Sequence, residues 1–205
     1  MSEESTQNRE DAAWVTIETP FSRTELCAFL DDIERLYRIN SMLVFDEWQK
    51  TGEHQYRLKA KNLSNSQQLE TDLNAEINAG SVTLHYSSGL RSSTSFRVDD
   101  EIDGCAKLII RDDYSGSSVA ERELRIDEVD KSLLHWGNCL HRYLHQWKRW
   151  SWLPGWQFYM RRVWQPMKPM ARRITYMLML ITFAEFVLFL MVFTVFLLEL
   201  DKYFN

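Results

Sequence analysis

The residues that could carry chemistry in this chain are five histidines, three cysteines and a few carboxylates in apolar surroundings. His141 and His145 stand four apart, which on a helix puts both imidazoles on one face, with His135 nearby. A zinc centre needs a third protein ligand, and the helical zincin pattern needs Glu directly after the first His, where this chain has Arg142. The histidines therefore read as a polar helix face, and no metal or cofactor is expected. Cys27, Cys105 and Cys139 are odd in number, far apart and in no CxxC arrangement, as expected of reduced cytosolic thiols. There is no Ser-His-Asp order, and only 7 glycines to build a phosphate-cradling loop. With no acid, base and nucleophile that converge, an enzyme is the weakest of the function classes considered.

Two carboxylates stand out by position. Asp112 shares the inward parity of Leu108, Ile110 and Tyr114, and an unpaired buried carboxylate is expensive. It either pairs or sits at a solvated pocket mouth, unless alternation has already lapsed before Ser115-Gly116. Glu185 lies inside a long apolar run, where an ionisable group normally faces protein rather than lipid. It is read as an intramembrane contact for a membrane-protein partner or a second copy. Protonation alone is the simpler account.

That apolar run, residues 174–200, dominates the organisation of the chain. About 20 apolar residues cross a bilayer, and this stretch exceeds that, so a single transmembrane helix is expected. Arg161, Arg162, Lys168, Arg172 and Arg173 crowd its N-terminal side, against Lys202 alone beyond it. The positive-inside rule then places the preceding domain in the cytoplasm of a single-pass inner-membrane protein, with residues 201–205 as a short outer tail. The start, residues 1–11, is polar and acidic without an apolar h-region, so a disordered leader is expected and no secretory signal. Residues 147–173 hold Trp147, Trp150, Trp152, Trp156 and Trp164 among the arginines. Trp favours the headgroup region and Arg is drawn to anionic lipid, so this segment is expected at the membrane interface. Docking of a partner protein is the other use of such a surface. The basic cluster adjoins a membrane span, so no nucleic-acid role is expected.

Residues 12–146 have the size of one globular domain. Val15 and Ile17 mark a short first strand, and Ser22 with Glu25 makes a capping box that starts two short helices. From Met42 the apolar period becomes two, giving about six consecutive antiparallel strands separated by turn residues. From Arg122 to about Trp150 the period is again helical, with Leu133, Trp136, Leu140, Leu144 and Trp147 on one stripe. The expected class is α+β. This order, with FLDDIERLYRINSMLVFDEW near the start, RDDYSG in the last strand and a long closing helix, resembles the START-like (SRPBCC, polyketide-cyclase-like) helix-grip superfamily over residues 12–150. The resemblance implies an antiparallel sheet wrapped on the closing helix around a cavity for sterols, lipids, polyketides or other apolar ligands. Alternation puts Leu58, Leu73, Ile77, Leu84, Tyr86, Phe96, Leu108 and Ile110 on the inner face, opposed by Trp136, Leu140 and Leu144, with Asp112 at the edge. These residues line a ligand cavity or form a packed core. The expected function is a membrane-anchored binding protein for lipid or another apolar ligand. The alternative is an accessory subunit of a membrane complex with no ligand in the domain.

Overall fold

A computed structural model describes residues 12–102, 104–117 and 131–204, together with 120 and 124. The expected leader, and residues 122–123 and 125–130 of the expected closing helix, lie outside the described residues. Strand β1 (Ala12–Glu18) leads to helices α1 (Arg23–Leu30) and α2 (Ile33–Ile39). The meander β2 (Leu43–Lys50), β3 (Gln55–Asn62), β4 (Gln68–Asn78), β5 (Ser81–Tyr86), β6 (Ser93–Ile102) and β7 (Cys105–Asp113) follows. Then come α3 (Leu133–Trp150), a single turn α4 (Trp156–Tyr159) that runs into a π-helical turn at Met160–Trp164, and α5 (Pro169–Phe204).

Local chemistry sets these boundaries. The Ser22 hydroxyl accepts from the Glu25 amide and the Glu25 carboxylate accepts from the Ser22 amide, so two orphan donors of α1 are satisfied. The Asp32 side chain caps α2 by accepting from the Arg35 amide at 3.1 Å. Gly80 takes a φ of +87° in the two-residue turn between β4 and β5, a conformation in which a β-carbon is strained.

The seven strands form one antiparallel sheet in the order β1-β7-β6-β5-β4-β3-β2. The first strand closes on the last, Val15 opposite Ile110, so the meander has one long-range pairing and five hairpins. Strict alternation along β3 and β7 leaves one face to water. The other face is covered by α1, α2 and α3, which bury Leu26, Leu36 and Leu140 in the same cluster as Leu58, Leu84 and Leu108. Helix α3 packs on β1 and β7. Gly137 lets it come close, since a β-carbon there would meet the Val15 methyls at 3.0 and 3.1 Å.

The first compact unit continues to Pro166, past the expected boundary at residue 146. Trp147, Trp156, Tyr159 and Trp164 pack against the core, and Met160 is buried in it. The second unit is α5 with its two leading residues. Its apolar stretch Pro169–Glu199 is the one described helix long and apolar enough to cross a membrane, and none of it is buried. Glu185 lies on this bare surface.

The extended boundary predicts a difference between two truncations. A form ending at Pro166 should melt cooperatively. One ending at Gln146 should melt on the order of 5 °C lower or more, because burying Met160 alone contributes about 2 kcal/mol. Circular-dichroism melts compare them, and equal melting temperatures would show that residues 147–166 add nothing to the domain.

Candidate functional site

The inner face of the sheet meets α3 around Trp136. Its ring lies 5.1 Å from Tyr37 on α2 and 5.3 Å from Phe96 on β6, both edge-on, and its indole N–H donates to the Leu36 carbonyl at 2.9 Å. A void large enough for one water leaves bare surface on the side chains lining it. Leu58, Leu73, Leu84, Phe96, Leu108, Ile110, Trp136, Leu140 and Leu144 have at most 1% of theirs bare. The structure brings these expected lining residues together and fills the space between them. Ile77 has the same parity but is exposed, because it borders an open groove between the β4–β5 hairpin and Cys27, Ala28 and Leu30 of α1.

Polar residues enter this interior on neighbouring strands. Thr94 on β6 stands directly opposite Asp112 on β7, and both point inward. Asp112 is 1% exposed and does not mark a lapse in alternation. Its carboxylate accepts from the Arg91 guanidinium at 3.0 Å and from the Thr94 hydroxyl. The Tyr86 hydroxyl bonds both the Thr94 hydroxyl, at 3.0 Å, and the Tyr37 hydroxyl. The Arg91 guanidinium lies 4.5 Å over the Tyr86 ring. This chain ends at a pocket of about 110 Å³ lined by Asn62, Gln67, Tyr86, Leu90, Arg91 and Tyr114 among others. Two open grooves elsewhere on the surface are larger, about 410 and 470 Å³. Sequence parity pointed to Asp112. Arg91 was hidden because it precedes β6, in the turn after Gly89, where no periodicity applies.

Burial pushes the Tyr37 phenol well above the ordinary value of 10 and raises Tyr86 as well. Tyr143 is also raised by burial. It accepts a hydrogen bond from the Arg35 guanidinium at 3.0 Å. Arg35 is 3% exposed, boxed by Phe29, Tyr143 and Trp147 with its carbon 4.4, 5.2 and 4.0 Å from their ring centres. Burial, opposed by Tyr143, lowers its pKa. One terminal nitrogen of Arg35 has no hydrogen-bond partner among the described residues.

The histidines are dispersed among structural partners. His141 contacts the Glu18 carbonyl at 2.9 Å, and its ring is 4.3 Å from that of His145. Burial, and then His141 beside it, lowers the pKa of His145. His135 bonds the Ser41 hydroxyl at 2.7 Å, with the Cys139 sulfur 3.6 Å from the same oxygen. No described cluster of three His, Cys, Asp or Glu could hold a metal.

The Trp-rich segment divides in two. Trp147 and Trp164 lie on either side of Tyr143, at 5.9 and 5.4 Å, and Trp156 rests on Tyr159. Trp152 is 72% exposed, Trp150 is 36% exposed, and Arg161 and Arg162 are exposed.

No family model and no curated protein matches the sequence. Solved structures match the fold. The Zhui aromatase/cyclase from Streptomyces sp. R1128 aligns with a TM-score of 0.52 at 10% identity, over 69% of this chain and 97% of that one. The fold is the START-like helix grip. The di-domain ARO/CYC protein BexL of the BE-7585A biosynthetic pathway aligns with this START-like domain at a TM-score of 0.50 and 16% identity, over 67% of this chain and 47% of BexL. A START superfamily protein from Mycobacterium smegmatis aligns at a TM-score of 0.49 and 13% identity, over 66% and 97%.

Two outcomes follow for the buried network. Arg91→Met leaves the Asp112 carboxylate buried without its cation and should cost about 3–5 kcal/mol in denaturant unfolding. Adding Asp112→Leu to it should recover a large part of that. Equal losses in the single and double variants would show that the pair is not coupled.

The tyrosines give a pH dependence. A phenol whose folded pKa lies above its unfolded value contributes stability that is full below pH 10 and is lost as pH rises past 10. Absorbance titration should therefore show Tyr37, Tyr86 and Tyr143 ionising only as the domain unfolds in alkali. Reversible ionisation of all eight tyrosines near pH 10 without unfolding would contradict this burial.

Proposed function

We propose that this is a single-pass membrane protein whose START-like domain is an accessory or assembly module, offering surfaces to a membrane complex and no interior ligand site. The filled interior carries this reading. Holding an apolar ligand would require Trp136 to leave Tyr37 and Phe96, and of the inward residues named above it is half-buried Tyr86 that faces open space, at the small pocket beside Arg91. The anchor reading is supported by the 31-residue stretch Pro169–Glu199, about 46 Å long as a helix against a hydrocarbon core of about 30 Å. With none of its side chains buried, that helix requires lipid or another apolar helix around it. The basic flank at Arg172 and Arg173 favours a cytoplasmic domain. Glu185 on the bare surface is suited to an interhelical hydrogen bond with a partner helix or a second copy.

The test of the interior uses the form ending at Pro166 and an apolar fluorophore. The wild-type domain should give no saturable enhancement. Trp136→Ala, which leaves a large cavity at a cost of about 3–5 kcal/mol, should create it. Stoichiometric binding of lipid or dye by the wild-type domain would overturn the module reading in favour of a lipid-binding protein.

The test of the anchor uses the full chain in mild detergent. Native mass spectrometry should show a protein partner or self-association. Glu185→Leu should weaken it by roughly fivefold, about 1 kcal/mol, while Glu185→Gln retains much of it. Unchanged association in both variants would remove Glu185 from the contact.

A further inference from the structure

The segment after α3 contains more than the domain needs for packing. The chain leaves α3 through a tight turn, with Leu153 N–H bonding the Trp150 carbonyl at 3.1 Å and Trp156 N–H bonding the Leu153 carbonyl at 3.2 Å. Gly155 takes a φ of +84°, and nothing lies within 4 Å of where its β-carbon would be, so the tip is open. The segment returns through α4 and the π-helical turn, where Gln165 N–H bonds the Met160 carbonyl at 3.0 Å. Trp147 stacks on Tyr143 where the chain leaves α3, and Met160 is buried with Trp164 against Tyr143 where it returns, so both ends of the excursion are held by the core. Between those ends, Trp150, Trp152 and Phe158 stay bare, the last at 67%. The inward aromatics thus hold a rigid frame from which the outward ones project.

Charge identifies what the outward set would meet. From Arg142 to Arg173 the chain has eight Lys and Arg and no Asp or Glu. Lys148 is paired with Glu25 at 2.7 Å, Arg149 lies 5.5 Å over the Trp150 ring, Arg161 lies 5.7 Å over the Trp147 ring, and Arg149, Arg161 and Arg162 are all exposed. Exposed bulky apolar side chains interspersed with exposed cations match a headgroup layer with acyl chains beneath and anions at its surface. We infer that the Trp150–Arg162 excursion is a preformed docking surface for an anionic lipid bilayer, with Trp152 and Phe158 entering the interface and Arg161 and Arg162 meeting lipid phosphates. This rests on the membrane-anchor part of the proposed function and adds to it a second, domain-borne lipid contact.

The apolar helix contains no tryptophan, and all eight indoles lie in the first compact unit. Quenching of tryptophan fluorescence by lipid brominated near the headgroup therefore reports docking and is blind to insertion of the anchor. The full chain is reconstituted into vesicles of phosphatidylcholine, with or without phosphatidylglycerol, containing the brominated lipid. Quenching is expected, and stronger with phosphatidylglycerol. Trp150→Phe with Trp152→Phe should remove more than half of it. Phe158→Ser, which removes no indole, should also reduce it, and Trp14→Phe, an exposed indole on β1, should leave it unchanged. Arg161→Gln with Arg162→Gln should abolish the phosphatidylglycerol dependence. A chain that floats with the vesicles but is not quenched, or whose quenching survives the double Trp substitution, overturns the docking surface, leaves the anchor intact and shifts the patch to a protein partner. A chain that does not float overturns the anchor and this inference with it.

Discussion

Trp136 stands where α2, α3 and the inner face of the sheet meet, and the packing between these layers depends on its ring. Its edges meet Tyr37 and Phe96, and its N–H is satisfied by a main-chain carbonyl of α2, so the ring is fixed on three sides. Interiors are packed nearly as densely as organic crystals, and the rings of Trp136, Tyr37 and Phe96 fill the space between helix and sheet here. The helix-grip topology is retained while the space it can enclose is filled.

Charge is handled in two ways inside this packed unit. Arg91 and Asp112 form a buried pair with further hydrogen bonds from Thr94, the arrangement in which attraction can repay desolvation. Arg35 has no carboxylate against it among the described residues and is held instead by three aromatic faces and a phenol. The aromatic box depends on Trp147 and Tyr143, and Tyr143 in turn supports Trp164. Arg35 thereby couples the short helix α2 to the segment that leads toward the apolar helix.

That segment shows how one composition serves two environments. Tryptophan is large enough to complete a core and amphipathic enough to sit at a bilayer surface. The inward rings make residues 147–166 part of the domain, and the outward rings remain available for contact. The domain and its surface patch consequently belong to one compact unit, whereas α5 forms a unit of its own.

The sequence alone determined the element order, the sheet's wet and dry faces, the capped start of α1 and the apolar helix, because each is written in local periodicity or run length. Period two marked β3 and β7 residue by residue, and a run of apolar residues longer than a bilayer needs no neighbours to be recognised. Parity also exposed Asp112 as out of place, though not what it pairs with. Tertiary structure decided the rest. The same inward leucines and Trp136 would line a cavity or fill one, and only the distance between α3 and the sheet, set by Gly137 against Val15, chooses between them. Arg91 and Arg35 were invisible because their partners lie 21 and 108 residues away. Which tryptophans turn inward was equally beyond local pattern, since a turn at Gly155 and a π-helical return, not a regular period, set their directions.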